Sequence, residues 1–589
     1  MLCVTGIRPG STFIVHLLRF VSKQKQGQQS RQAESTTRPQ AATTLLPKGF
    51  TIPYPMLWLA LAVVLVYFPT FSFDFTELDD SIFIKEFRAY NQDTHNQITS
   101  FTRGLFDATK DPYYRPLFSD IMILNYQMSG ENIFGYHVIN VLLHLGTVLL
   151  LFKLFGKLGI KEQWAFILAM VFAVHPVLSQ AVAWIPGRND SMLAIFVLSF
   201  LLYSINYSDT GKLRSLLLSG LFLLLAFFTK ETAVFAAPAA FILLVFFLHK
   251  KWNDKNSFVQ YGVWAGCFLA WYLARMAATT AASGIGSAQS ITDFIHRLPV
   301  IVQYVGKIFL PFNLSVFPTQ EDTVIYYGLA AIVLLATVLL LYKQRNIGNV
   351  IGGLVIFLLF LMPALLVPAN LNQQTFEHRL YLPVIGILLL LPQTVLLNNK
   401  LGDKQLFIAG MAVCVVFAGI NYQHQKSFAD ARTFWSQAVE TSPNSAYANM
   451  MLAARLDKDE LPKSEAMFRK AYRLNPKEKY LNFYMGEMLQ KKDSVQASEP
   501  YLLQEKKISD YVQCDFYLAR VAMERKDFNG AIAYLESYLK RDKGNPMANN
   551  NLLLLYMEVH ASDKAKVQAK KMRSMGLDVP AAIAAQLGS

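Results

Sequence analysis

Charge is the scarcest thing in this chain. Of its 589 residues 16% are Asp, Glu, Lys or Arg and 53% are hydrophobic, whereas a soluble protein carries about a quarter charged residues. A single soluble globular body is therefore excluded. Cysteine is nearly absent too. Cys3, Cys267, Cys414 and Cys514 are the four present, two of them in apolar runs and none in a metal-like pair, which leaves no disulfide framework and no metal site to read from them. No GxxxxGK[ST] loop occurs, which disfavours ATP-driven transport. No HExxH motif is present either, nor a defensible Ser/His/Asp arrangement. Paired Gly/Pro-broken spans in matching halves, the mark of inverted-repeat transporters, are missing as well.

The charge that exists is unevenly placed. It is thin from Ile52 to Phe417 and dense from Gln425 onward, within a net charge of +14. The basic excess lies in short segments between apolar runs, so the positive-inside rule explains it more simply than nucleic acid does. Residues 1–50 read as a basic cytoplasmic tail without order, and its apolar patch Phe13–Phe20 is too short to span. No small-residue cleavage site follows that patch, which argues against a cleaved signal peptide.

Eleven runs approach the ~20 apolar residues a bilayer core requires: 54–73, 136–156, 163–183, 190–207, 213–229, 232–249, 258–277, 324–342, 350–368, 378–397 and 405–423. A twelfth, 298–318, holds Pro299, Pro311 and Pro318, which break or kink helices. Basic clusters at Lys153/Lys157/Lys161, Lys212/Arg214, Lys250/Lys251/Lys255, Lys343/Arg345 and Lys400/Lys404 alternate consistently if 298–318 is re-entrant or surface-lying. The expectation is eleven crossings with the N-terminus cytoplasmic. The long loop 74–135 and the segment from 425 onward then lie on the opposite face.

That segment carries a repeat. Trp435, Ala438 and Pro443 stand at offsets 0, +3 and +8, and Phe468, Ala471 and Pro476 repeat them 33 residues later. Pro546 falls 70 residues after Pro476, and Ala519 and Ala531 fit small-residue helix contacts. A helical period near 34 is that of tetratricopeptide repeats, here about four units, which stack into a solenoid with a concave face. The fold class expected is all-α: a polytopic membrane bundle over 51–424, followed by a repeat solenoid over 425–589.

Chemistry-bearing residues gather on the non-cytoplasmic side. Asp79 and Asp80 follow the first span in FDFTELDD. A carboxylate just outside a membrane helix can accept a proton from an attacking hydroxyl, although on spacing alone a helix N-cap or solvated pair is the simpler account. Arg115, Arg188, Lys230 and Arg379 fall on the same face beside carboxylates. That mixture suits an anionic phosphate leaving group with a general base, because arginine grips phosphate with a planar fork.

The order DD, YRP (Tyr114–Pro116), FGYHVINVLLH (Phe134–His144), FAVHPV (Phe172–Val177), AVAWIPGR (Ala181–Arg188), KE (Lys230–Glu231) and EHRLYLP (Glu377–Pro383), followed by helical repeats, resembles the transmembrane-and-tetratricopeptide-repeat protein O-mannosyltransferases of the GT-C superfamily. The resemblance spans nearly the whole chain from about residue 52. It implies an inverting enzyme that takes mannose from a polyprenyl-phosphate carrier and places it on Ser or Thr of exported proteins. Carried over, Asp79 or Asp80 is the base, with Asp79 preferred as nearer the membrane. Glu377 and Arg379 match the Glu-x-Arg motif at the donor phosphate, with Lys230, Arg188 and Arg115 also on the lipid carrier. Glu231, His175, Tyr114 and His378 support them. No metal ligand is implied, and a divalent metal is not favoured. The implied partners are the lipid-linked sugar, membrane lipids and an acceptor protein docked on the repeats, with no nucleic acid. The look of the chain suggests a bacterial inner-membrane member with its site in the periplasm. Leu178-Ser179-Gln180 departs from the polar and acidic residues relatives often carry there. Two other readings stay open: a glycosyltransferase acting on glycolipid or envelope polymer, and a non-enzymatic assembly platform.

Overall fold

The computed structural model describes residues 51–106, 113–279, 291–366, 374–398 and 402–586. The predicted tail 1–50 and the basic residue Lys400 lie outside these. The described residues are helical, with one isolated antiparallel bridge between Thr319 and Gln374.

Five helices are long and apolar enough to cross a membrane: Pro55–Ser72, Phe134–Lys157, Ile185–Thr210, Ile347–Leu366 and Asp403–Phe428. A sixth forms if Glu162–Val174 and Pro176–Ala183, bent by 49° at their junction, are one span. Shorter apolar helices occupy Leu213–Thr229, Glu231–Phe247, Tyr326–Leu341 and Pro383–Gln393. Lys255–Ala278 is long, at 24 residues, but less apolar. Each of the eleven predicted runs thus carries a helix, five or six of them with a full span's length and apolarity. Their outer faces are unlike those of a soluble bundle. On Pro55–Tyr67 the buried side is Leu59 and Val63, while Leu57, Trp58, Leu61 and Leu65 on the outside are just as apolar. A helix that is apolar all round, with its outer side uncovered, has lipid as its solvent. The chain is an integral membrane protein.

Within 298–318 the chain forms Pro299–Phe309, an 11-residue helix. At 1.5 Å per residue it reaches about 16 Å, half a bilayer core. Beyond it residues 310–325 run irregularly beneath the C-terminal helices. Ser315 Oγ bonds Thr441 Oγ1 at 2.6 Å and Val316 N donates to Gln437 Oε1 at 2.9 Å.

The polar residues among the apolar helices repair broken backbone. Pro176 has no N–H to continue the helix begun at Glu162, so the carbonyls before it lose their helical donors. Asn421 Nδ2 donates to the carbonyls of Val174 (3.2 Å) and His175 (3.3 Å) and to the Tyr67 hydroxyl (2.9 Å). At the second break, around Trp184–Pro186, Asn140 Nδ2 serves the carbonyls of Val182, Trp184 and Ile185 at 2.9–3.3 Å. Without water, a freed carbonyl at this depth needs such a partner. The HPV and WIPGR motifs are therefore helix breaks, and Asn140 and Asn421 are what make them tolerable.

From Ala431 the helices pair in succession: Ala431–Thr441 with Ala446–Ala453, Leu461–Leu474 with Leu481–Lys491, Val495–Ser509 with Gln513–Glu524, and Phe528–Arg541 with Pro546–Glu558. Ser445 and Asn545 cap second helices by accepting from Ala448 N and Ala548 N. Asn449, Asn482 and Asn549 each donate to the carbonyl six residues earlier, on Pro443, Pro476 and Lys543, at 3.0–3.1 Å. The same turn is thus rebuilt from pair to pair.

Candidate active site

The loop carrying the two aspartates leaves the first span at Ser72. Phe73 and Phe75 are buried while Asp74 between them is exposed, an alternation that holds the segment extended. Asp80 is 1% exposed and fully engaged. Its carboxylate accepts from Thr76 N (2.7 Å), Thr76 Oγ1 (2.9 Å) and Ser81 N (2.9 Å). It ties the loop to itself. Asp79 is different. It is half-buried, and among the described residues its carboxylate accepts no hydrogen bond and enters no ion pair. Burial, then the neighbouring Asp80 charge, pushes it up to about 6. A poorly solvated, unengaged carboxylate near neutrality is suited to take a proton.

A second group assembles from four separate stretches. Arg115 Nε and Nη2 both lie 3.0 Å from Glu231 Oε2, a forked pair. Asn189, oriented so that both ends of its amide are satisfied, accepts from Arg115 Nη1 at 2.8 Å and donates to Thr229 O at 3.0 Å. Lys230 Nζ lies 2.6 Å from Asp190 Oδ1. Tyr114 contributes backbone N–H to Glu231 Oε1 at 3.2 Å, while its hydroxyl donates to Phe101 O at 2.9 Å. Burial, then the charges of Lys230, Arg379 and Arg115, holds His378 well below its usual range, so all three cations share one neighbourhood with a neutral imidazole. Arg379 donates to Gln374 O at 3.0 Å and lies over the Phe376 ring. Among the described residues it has no carboxylate partner, unlike Arg115 and Lys230. A run of rings leads from this group to Tyr447, which feels the Asp79 charge: His378 on Phe376 (5.3 Å), Phe376 on Phe317 (5.6 Å) and Phe317 on Tyr447 (5.6 Å).

Three predicted site residues are engaged elsewhere. Glu377 is fully buried. It accepts from Lys307 Nζ at 2.7 Å and Ser315 N at 2.9 Å, with His424 Nε2 at 3.5 Å. Burial works against its charge, but Lys307 and His424 outweigh it and hold the carboxyl below the usual range. Arg188 is fully buried and spends its donors on Ile185 O (3.2 Å), Asn125 Oδ1 (2.8 Å) and Tyr136 O (2.8 Å). His175 donates from Nε2 to Ile308 O (2.9 Å) and accepts at Nδ1 from Val177 N (3.2 Å), capping the turn after the break.

Lys307 is the partner sequence reasoning passed over, although a lysine inside an apolar helix is itself a signal. Lys307→Ala is expected to lower stability by about 3–5 kcal/mol, since it leaves Glu377 buried without its cation. Thermal unfolding in detergent checks this, and Lys307→Met with Glu377→Gln should recover most of the loss. Asn189, Asp190 and Tyr447 also lie at the site without having been singled out as site residues. Among the described residues no group of three or more His, Cys, Asp or Glu side chains converges as metal ligands would.

Fold and site together define a polytopic membrane protein in which a run of rings reaches from a buried cationic group to Tyr447, near an acid that is unengaged among the described residues. Residues 111–273 match the family described as Dolichyl-phosphate-mannose-protein mannosyltransferase. That stretch holds Arg115, His175, Arg188, Lys230 and Glu231 and excludes Asp79, Asp80 and Arg379. Human Protein O-mannosyl-transferase TMTC1 is 24% identical over 444 residues, 64% of this chain and 49% of the relative. The mouse TMTC1 protein is 38% identical over 136 residues, 22% of this chain and 14% of its own. Human Protein O-mannosyl-transferase TMTC2 is 36% identical over 154 residues, 25% of this chain and 18% of its own. The chain spans about half the length of the first of these and less of the others. Over those stretches it is similar to the Protein O-mannosyl-transferases TMTC1 and TMTC2.

Proposed function

We propose that this chain transfers mannose from a polyprenyl-phosphate carrier to Ser or Thr hydroxyls of exported proteins, on the extracytoplasmic side of its membrane and with inversion. The observation that carries the reading is the contrast between the two aspartates. Asp80 is consumed in holding the loop, whereas Asp79, a few residues beyond the first apolar helix, is half-buried and unengaged among the described residues.

In the proposed reaction the acceptor hydroxyl oxygen attacks the anomeric carbon as Asp79 takes its proton. The bond from that carbon to the phosphate oxygen breaks with its electron pair on the oxygen. Polyprenyl phosphate departs carrying one more negative charge than it had in the donor. Arg379, which has no carboxylate partner among the described residues, receives that charge. Arg115 and Lys230, already paired, position the neighbouring side chains and keep the local field positive. Glu377 holds Lys307 and the 310–325 segment in place, and Arg188 and His175 fix the broken helices beneath. The C-terminal helix pairs are tetratricopeptide units whose concave face docks the acceptor protein.

The test is transfer by the purified full-length chain in detergent, using radiolabelled polyprenyl-phosphate mannose and a Ser/Thr-rich peptide. Label in the peptide that is lost in an Asp79 variant of intact fold supports the reading. No transfer with this or other polyprenyl-linked sugars, together with retained binding of exported proteins, replaces it with the assembly-platform reading.

A further inference from the structure

The C-terminal helices do not merely follow the membrane part; their first pair is built into the loop that carries Asp79. Trp435, fully buried, donates its indole N–H to Thr76 O at 3.1 Å. Thr76 is the residue whose amide and hydroxyl hold Asp80. Ala429 O, just ahead of the pair, accepts from Asp74 N at 2.7 Å. Arg455, at the end of the pair, lies 2.8 Å from Glu77 Oε2 and over the Trp435 ring. Glu77 has φ +53°, a left-handed conformation a glutamate rarely adopts and one that needs outside contacts to persist. Three attachments thus fall within residues 74–77, and the left-handed turn they hold lies two residues before Asp79.

We propose that Trp435 and Arg455 are positioning residues for Asp79, so that the first helix pair is part of the catalytic apparatus and not only an acceptor dock. The inference rests on Asp79 being the base. Its physical basis is that a flexible loop would let Asp79 sample solvent, whereas the attachments hold it half-buried. The groups facing Asp79 are Asp80 from its own loop and Tyr447 from the helix pair; Glu77 and Arg455 form the clamp beside it.

The test compares full-length wild type with Trp435→Phe, which keeps an aromatic ring but loses the indole N–H, with Arg455→Glu, and with the exchanged pair Glu77→Arg/Arg455→Glu. Arg525→Gln, which breaks the exposed Arg525–Glu499 pair of a later helix, is the control for general loosening of the array. Amide exchange over residues 74–83 is expected to rise about tenfold in Trp435→Phe and Arg455→Glu. It should return toward wild type in the exchanged pair and stay unchanged in Arg525→Gln. In transfer assays kcat should fall about tenfold with the donor KM unchanged. The acid limb of the pH profile should move down from about 6 toward the ordinary carboxylate range as water reaches Asp79. Unchanged loop exchange in Trp435→Phe and Arg455→Glu overturns the proposal, as does a loss that Arg525→Gln reproduces. If wild type transfers no sugar, the transferase reading falls, while exchange over 74–83 still upholds or overturns the positioning.

Discussion

Asp79→Asn is expected to lower transfer by roughly 10²–10⁴-fold, the range a positioned general base supplies, while leaving the protein at least as stable as wild type. The two halves of that expectation have one cause. Burial and the Asp80 charge raise the Asp79 carboxyl to about 6, above the ~3.9 of an unfolded aspartate. Between those values the folded chain binds more protons than the unfolded one, so this group's contribution to stability falls as pH rises through the window. At pH 7 the charge is present and poorly solvated, and asparagine removes that burden. Asp80→Asn behaves differently. It keeps one acceptor oxygen but turns an amide toward the Thr76 or Ser81 donors, so the loop loosens. A stability loss with a smaller loss of rate is expected. In wild type, kcat/KM should fall tenfold per pH unit below about 6, because only the deprotonated acid accepts the hydroxyl proton. Asp79→Asn with wild-type turnover sinks the assignment, and equal losses of rate and stability at both aspartates would make the pair structural.

Much of this was legible in the sequence, and the parts that were not share a physical reason. Lipid imposes long apolar runs, so the helices could be placed from hydropathy alone, and a lysine or arginine at their ends shows where the runs stop. The breaks at His175-Pro176 and Trp184–Pro186 were visible only as polar motifs. Their repair by Asn140 and Asn421 joins residues up to 247 apart in the chain, which no local pattern encodes. The Glu-x-Arg motif shows the same limit within a single turn. Residues 377–380 form a 3₁₀ helix, in which residues two apart point in different directions. Glu377 therefore faces Lys307 while Arg379 lies over Phe376, although the resemblance implied that both sit at the donor phosphate. Likewise the Trp435 offset revealed a repeat but not that its indole closes over Thr76, 359 residues away. Asp79 and Asp80 could be found as a pair, and only three hydrogen bonds to one of them separate their roles.

Arg379→Ala is expected to reduce kcat by roughly 10²–10³-fold, with a smaller change in the KM for the lipid-linked donor. A sugar phosphodiester carries one negative charge and its phosphate leaving group carries two, so a cation at the phosphate gains most of its interaction as the bond breaks. Interactions that strengthen toward the transition state act on kcat, whereas uniform binding acts on KM. Arg379 is the residue to test because the other cations are already engaged. Arg115→Ala would strand Glu231, and Lys230→Ala would strand Asp190, each leaving a poorly solvated acid without its cation. Those variants should lose stability together with activity, while Arg379→Ala, giving up a bond to Gln374 O, should retain its fold. Arg379→Lys keeps the charge but not the planar fork, and should recover part of the rate at the same KM. Steady-state kinetics over donor concentration, with melting temperatures beside them, separate these cases. A raised KM with unchanged kcat would make Arg379 a donor anchor and move charge stabilisation to Lys230. Unchanged kinetics would remove the phosphate from this cluster altogether.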